Sequence, residues 1–162
     1  MSIENIMTRP VITCHVADTL NTSAGLMWEN DCGALPVVDD EGACVGIITD
    51  RDICMGLYTS GRTLQTALVR DSMAKQVLSC WPTDDVLDVE KSMAHAQVRR
   101  VPVLDPQRRP IGIVSMSDFA RFSTQTNKKI AAETLSTLAA ISEPHRAMVR
   151  APTPRADSAF QR

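Results

Sequence analysis

Two stretches of the chain carry the same pattern 66 residues apart, Gly46-Ile-Ile-Thr-Asp-Arg-Asp-Ile53 and Gly112-Ile-Val-Ser-Met-Ser-Asp-Phe119. With that one ungapped offset residues 6–53 align with 72–119. Met7, Val11, Cys14, Asp18, Met27, Pro36, Val37, Asp39, Gly46, Ile47 and Asp52 then each fall on their own residue type. Elsewhere the exchanges keep physical character, Thr13 for Ser79, Leu35 for Val101, Thr49 for Ser115. An internal repeat of this kind fixes the architecture first: two copies of one supersecondary unit, packed against each other about an approximate two-fold axis, with two equivalent clefts.

Each copy changes hydrophobic period in the same order. Val11 to Cys14 is a strand-like run; Asp18 offers a cap, and Leu20, Ala24, Met27 and Trp28 recur at helical spacing. Ala34 to Val38 and Cys44 to Ile48 are apolar runs joined by Asp39-Asp40-Glu41-Gly42, a hairpin signal, and a second helix starts near Asp50. The second copy repeats the series from Val77, with a cap at Asp84 and a last helix over Met116 to Phe122, so the unit reads β-α-β-β-α and the fold class is α/β (α+β). The boundaries expected are 1–62 and 63–123 for the copies, 124–142 for an extra helix and 143–162 for a flexible tail. Ile130, Leu135, Leu138 and Ile141 give the extra helix an apolar stripe, to be buried on its own domain, a second subunit or a partner. From Pro144 the aperiodic Pro, Arg, Ala and Ser content reads as a mobile tail.

Only 4% of the residues are aromatic, so the core is built from Val, Ile, Leu, Met and Ala. A net charge of -2 gives no nucleic-acid footprint. The five cysteines, Cys14, Cys32, Cys44, Cys54 and Cys80, form no C-x-x-C pair and read as reduced small hydrophobes. No apolar run approaches the ~18 residues of a membrane span, and a cytoplasmic location is expected.

The chemistry lies where each third strand ends. Thr49 with Asp52, and Ser115 with Asp118, place a hydroxyl at a strand terminus and a carboxylate in the first turn of the next helix. S/T-x-x-D is close to a capping box, which satisfies orphan backbone donors and needs no further role. Three features favour a site as well. Gly46 and Gly112 leave room for another group to approach the backbone, helix N-termini attract phosphate, and a lone carboxylate there suits a ribose diol.

Both copies carry G-h-x-[TS]-x-x-D-h (h apolar), a Met-(Thr/Ala) start at Met7-Thr8 and Met73-Ala74, and a (Leu/Val)-Pro-Val-(Val/Leu)-Asp strand at Leu35 to Asp39 and Val101 to Asp105. In this the chain resembles a tandem cystathionine-β-synthase (CBS) domain pair, or Bateman module, of stand-alone prokaryotic type, over about Ile3 to Phe122. The resemblance implies a regulatory module that binds an adenosyl ligand such as AMP, ADP, ATP, NAD or S-adenosylmethionine between the repeats. Asp52 and Asp118 would hold ribose, and Thr49, Arg51, Ser115 and Ser117 would face phosphate. Base contacts would come from the other repeat: His15, Leu20, Cys32, Gly33 and Ala34 for the Asp118 cleft, and Trp81, Val86, Val98, Arg99 and Arg100 for the Asp52 cleft. Arg51, Arg99 and Arg100 would support a di- or triphosphate, or else pair with Asp50 and Glu41. Trp81 would stack on adenine or fill the core. The resemblance also implies a homodimer through residues 18–30, 50–58, 84–96 and 116–122. A regulated protein partner would read the ligand state, with the C-terminal helix as output.

No nucleophile-base pair, P-loop or H-E-x-x-H motif is present, so no catalysis is expected, and no metal either. The alternatives are a constitutive scaffold with vestigial clefts, or nucleic-acid binding through Arg99, Arg100, Arg108 and Arg109.

Overall fold

The computed structural model describes residues 1–126 and 128–142. The first copy contains β1 (Cys14–His15), α1 (Leu20–Glu29), β2 (Ala34–Val38), β3 (Cys44–Thr49) and α2 (Asp50–Ser60). A short α3 (Val69–Ser72) leads into α4 (Val86–Ala96), β4 (Arg100–Leu104), β5 (Pro110–Ser115) and α5 (Met116–Thr126), and α6 (Lys128–Ser142) follows. The α/β repeat architecture is the expected one, with shorter leading strands. β1 is two residues long and parallel to β2, and its counterpart is a single parallel bridge from Cys80 to Val103. The tail expected from Pro144 lies outside the described residues.

The repeat holds at the level of strand register. β2 and β3 pair antiparallel from Ala34↔Thr49 to Val38↔Cys44, and β4 and β5 from Arg100↔Ser115 to Leu104↔Pro110, each with an irregularity at its last pair. Asp39 Oδ1 closes the first turn by accepting the Glu41 and Ala43 N–H groups at 3.0 and 2.9 Å. Asp105 Oδ1 does the same for Gln107 and Arg109 at 2.9 and 2.8 Å. The caps sit one residue later than expected. Thr19 and Asp85 begin α1 and α4 by accepting the Thr22 and Leu87 N–H groups, whereas Asp18 and Asp84 bend back to the N–H groups of His15 and Trp81 at 2.7 and 2.8 Å.

The two copies exchange their leading arms. Residues Ile3–Asn5 form a 3-10 turn, and beyond it Thr8 N–H donates to the Ile113 carbonyl on β5 at 2.9 Å. In the mirror contact Ala74 N–H donates to the Ile47 carbonyl on β3, also at 2.9 Å. Val69 N–H to Asp18 O repeats Ile3 N–H to Asp84 O, again at 2.9 Å in both. The cores are therefore mixed. Ile3 and Met7 are buried with Cys80, Val86, Met93, Val103 and Phe119, while Ala67 and Val69 are buried with Leu20, Leu35, Val37, Ile48 and Ile53. Neither copy closes its core from its own residues alone.

α6 packs on its own domain, along α4 and α5. Ile141 is buried in the second core with Leu138 beside it, and the Gln97 amide donates to the Ala140 carbonyl at 3.2 Å. The side chain of Ile130 lies outside the described residues; Leu135, also in the expected stripe, is exposed. α4 and α5, half of the dimer surface expected from sequence, thus meet α6 within the chain.

Candidate functional site

The strands set the backbone of Thr49 and Ser115, and the first helical turn sets the carboxylates. Asp52 Oδ2 accepts the Thr49 N–H at 2.9 Å and its hydroxyl at 2.7 Å, while Asp52 N–H donates to Thr49 Oγ1 at 3.2 Å. Asp118 Oδ2 accepts the Ser115 N–H at 2.7 Å and its hydroxyl at 2.6 Å. The capping reading is therefore correct in its own terms, and it uses one carboxylate oxygen in each copy. The other oxygen, Oδ1, is the one a ligand would meet.

The glycines have a different role from the one expected. A Cβ on Gly46 would stand 2.5 Å from Met73 Sδ and 3.0 Å from the Ala74 carbonyl oxygen; on Gly112 it would stand 2.6 Å from Met7 Sδ and 3.3 Å from the Thr8 carbonyl oxygen. The group that approaches the backbone is the exchanged arm, not a ligand. The same arm brings the Thr8 hydroxyl to 3.4 Å from Asp118 Oδ1. The residue 66 positions on from Thr8 is Ala74, bridged to Ile47 beside the Asp52 turn. The Met-(Thr/Ala) starts marked these arms in the sequence, but not which carboxylate they would reach.

The family model for the CBS domain matches residues 3–58 and again residues 69–124. The chain is a CBS domain pair. It is 36% identical over 119 residues to the CBS domain-containing protein YhcV of Bacillus subtilis, covering 74% of this chain and 83% of that protein. It is 31% identical over 120 residues to homoserine O-acetyltransferase of Methanococcoides burtonii, where the match covers 74% of this chain but 24% of the relative. Among solved structures it is similar to the CBS domain pair of protein MJ0100 in complex with 5′-methylthioadenosine and S-adenosyl-L-methionine. There the TM-score is 0.69 at 28% identity, over 75% of this chain and 94% of that one.

Strand pairing in this CBS pair redistributes the expected wall residues. Gly33 O accepts the Asp50 N–H, and Ala34 pairs with Thr49, so Cys32 to Ala34 lie beside the Asp52 turn. Arg99 O accepts the Met116 N–H, and Arg100 pairs with Ser115, so Val98 to Arg100 lie beside the Asp118 turn. The backbone of each segment thus lies beside the turn of its own copy, because β2 hydrogen-bonds to β3 and β4 to β5. The Arg100 side chain crosses to the first copy, its Nη2 3.1 Å from where a Gly33 Cβ would stand, beside Asp50. Leu20 and Val86 are buried in the two cores and serve packing. Trp81 is 46% exposed, so it is not a core filler.

His15 pairs with Val38, at the opposite end of β2 from Ala34, about 13 Å along the strand; its Nε2 lies 3.0 Å from Asp40 Oδ1. Arg51 and Ser117 are exposed in the first turns of α2 and α5. Among the described residues no ion pair engages Arg51, Arg99 or Arg100, which leaves them available to an anion. Arg108 and Arg109 sit in the β4–β5 turn, a strand's length from Arg99 and Arg100, so these four cations form no single patch. Burial pushes the Cys14 and Cys80 thiols up to about 12, with Asp18 and Asp84 adding to the effect. Neither is a thiolate nucleophile near neutral pH. Among the described residues no three His, Cys, Asp or Glu side chains gather as a metal site, and no helix is long and apolar enough to cross a membrane.

An open groove of about 510 Å³ runs between α1 and α2, lined by Ala24, Met27, Trp28, Cys54, Asp50 and Arg100 among others. Asp52 is two residues from both Asp50 and Cys54, roughly half a turn round α2, and faces away from this groove. On the second copy the positions matching Ala24 and Trp28 are Glu90 and Ala94, which face Ser136, Thr137 and Ala140 of α6. α6 covers one helix face, and the equivalent face of the first copy is open, with Trp28 88% and Tyr58 82% exposed.

Proposed function

We propose that this CBS pair is a regulatory module that binds an adenosyl ligand, AMP, ADP, ATP, NAD or S-adenosylmethionine, with the ribose diol on the Asp52 carboxylate. The observation that carries the reading is the Asp52 turn. One oxygen of its carboxylate holds the helix cap and the other has no hydrogen-bond partner among the described residues. Two hydroxyls of a ribose are donors of the kind that oxygen lacks. The exposed Arg51, one residue away, suits phosphate, with Ser117 and Ser115 in the matching places of the second cleft. The MJ0100 pair, solved with 5′-methylthioadenosine and S-adenosyl-L-methionine, is similar over most of this chain and supports the ligand class.

The module acts by coupling rather than by catalysis. A ligand between the copies shifts their arrangement only as far as its affinity differs between two arrangements. Because the arms are exchanged, displacement of one copy moves the β3 or β5 edge of the other. We assign the open α1–α2 face to a homodimer contact, the protein to the cytoplasm, and α6 to the output, since it rides on the copy that carries Asp118. The test is thermal unfolding with each of the five adenosyl compounds. A ligand at 100 times its dissociation constant raises stability by about 2.7 kcal/mol. One nucleotide raises the midpoint in the parent and not in Asp52→Ala; no shift with any of them would leave a scaffold as the better account.

A further inference from the structure

The two carboxylates that the repeat makes equivalent have different surroundings. Asp118 is 4% exposed. Its Oδ2 holds the cap, and its Oδ1 is paired with Nη2 of Arg121 one helical turn on, with the Thr8 hydroxyl at 3.4 Å. Around Asp52 the 66-residue offset puts Met55 in place of Arg121 and Ala74 in place of Thr8. Neither replacement can donate a hydrogen bond. Among the described residues Asp52 therefore keeps an open Oδ1 at the place where Asp118 has a guanidinium and a hydroxyl.

We infer that Arg121 guards Asp118, so that the protein takes one adenosyl ligand, at Asp52, and excludes it from the second cleft. This rests on the nucleotide reading above. A ribose diol brings neutral donors to the carboxylate, whereas the guanidinium brings a donor and a full counter-charge, which no hydroxyl can replace. For ribose to reach Asp118 Oδ1 it must displace Arg121 and leave a buried carboxylate without its counter-charge. The Arg121 side chain is 67% exposed, which screens the pair and keeps the barrier finite. The expected discrimination between the clefts is roughly ten-fold or more, which corresponds to about 1.4 kcal/mol. Sequence decides this asymmetry at two positions, both on the rim of one carboxylate.

Isothermal titration of the full chain with AMP, ATP and S-adenosyl-L-methionine in turn tests it. The parent binds one equivalent, lost in Asp52→Ala and kept in Asp118→Ala. Arg121→Met combined with Thr8→Ala gains a second equivalent, which Asp118→Ala then removes. The reciprocal variant, Met55→Arg with Ala74→Thr, changes exposed positions and weakens the parent site at least ten-fold, so the inference stays testable if the first variant fails to fold. Two equivalents bound by the parent with matching affinity, or no second tight equivalent in a folded Arg121→Met/Thr8→Ala protein, overturns the guard and leaves the nucleotide reading standing. No binding by the parent or by either variant overturns both.

Discussion

Gly46→Ala tests the exchanged arms at a single atom. The added Cβ would lie 2.5 Å from Met73 Sδ, 3.2 Å from its Cγ and 3.0 Å from the Ala74 carbonyl oxygen, against the ~3.5–4.0 Å of a relaxed contact. The thioether can turn aside, but the Ala74 backbone is held on both sides: its N–H donates to Ile47 O at 2.9 Å and its carbonyl accepts Ile47 N–H at 3.0 Å. Relief must come from a shift of the arm, and overpacking of this kind costs about 1–3 kcal/mol. At roughly 2–4 °C per kcal/mol for a protein of this size, the midpoint falls by roughly 2–12 °C. Unfolding of Gly46→Ala, Met73→Ala and the double variant isolates the cause. With the thioether gone only the Ala74 contact remains, so Gly46→Ala costs at least ~0.5 kcal/mol less in the Met73→Ala background. An unchanged midpoint for Gly46→Ala, or an equal loss in both backgrounds, would refute the packing of the arm against β3.

Trp28→Glu with Tyr58→Glu removes the open apolar face without touching a core, since both side chains are solvent-exposed; light scattering behind gel filtration then gives half the parent mass at an unchanged unfolding midpoint. The buried thiols predict an alkaline limit. Their folded value of about 12 lies above the ordinary 9.0, so the folded state keeps protons that the unfolded chain releases. Their contribution is complete below pH 9 and is lost as pH rises from 9 towards 12. The midpoint therefore declines across that window, with a shallower slope in Cys14→Ala/Cys80→Ala, and iodoacetamide at pH 8 labels the exposed Cys54 while sparing Cys14 and Cys80 in the folded protein.

The repeat made most of the fold legible, because a 66-residue offset carries element order, register and turn chemistry together. The turns closed by Asp39 and Asp105 and the S/T-x-x-D groups are where local spacing alone placed them. Crossing of the arms was not legible: Met7 and Met73 have the same apolar character whether they pack on their own copy or the other. The glycines were read correctly as sites of close approach, but sequence does not say what approaches. The segments Cys32 to Ala34 and Val98 to Arg100 lie beside the turn of their own copy because β2–β3 and β4–β5 pairing is local, whereas the exchange applies to the leading arms. The contrast of Thr8 with Ala74 lies within the aligned stretch, and that of Arg121 with Met55 two residues past its end. Neither contrast had meaning until the arm and the i,i+3 pairing on α5 put both groups on one carboxylate oxygen.

The central claim is that the Asp52 carboxylate reads a ribose diol, and the direct measurement is a chemical double-mutant cycle. The adenosyl nucleotide giving the largest thermal shift and its 2′,3′-dideoxy analogue are titrated into the parent and into Asp52→Ala. Hydrogen bonds to a charged group contribute about 1.5–3 kcal/mol, so the parent binds the dideoxy analogue roughly 10- to 150-fold more weakly, and Asp52→Ala binds both compounds with the same low affinity. Equal binding of the two compounds by the parent would contradict the account.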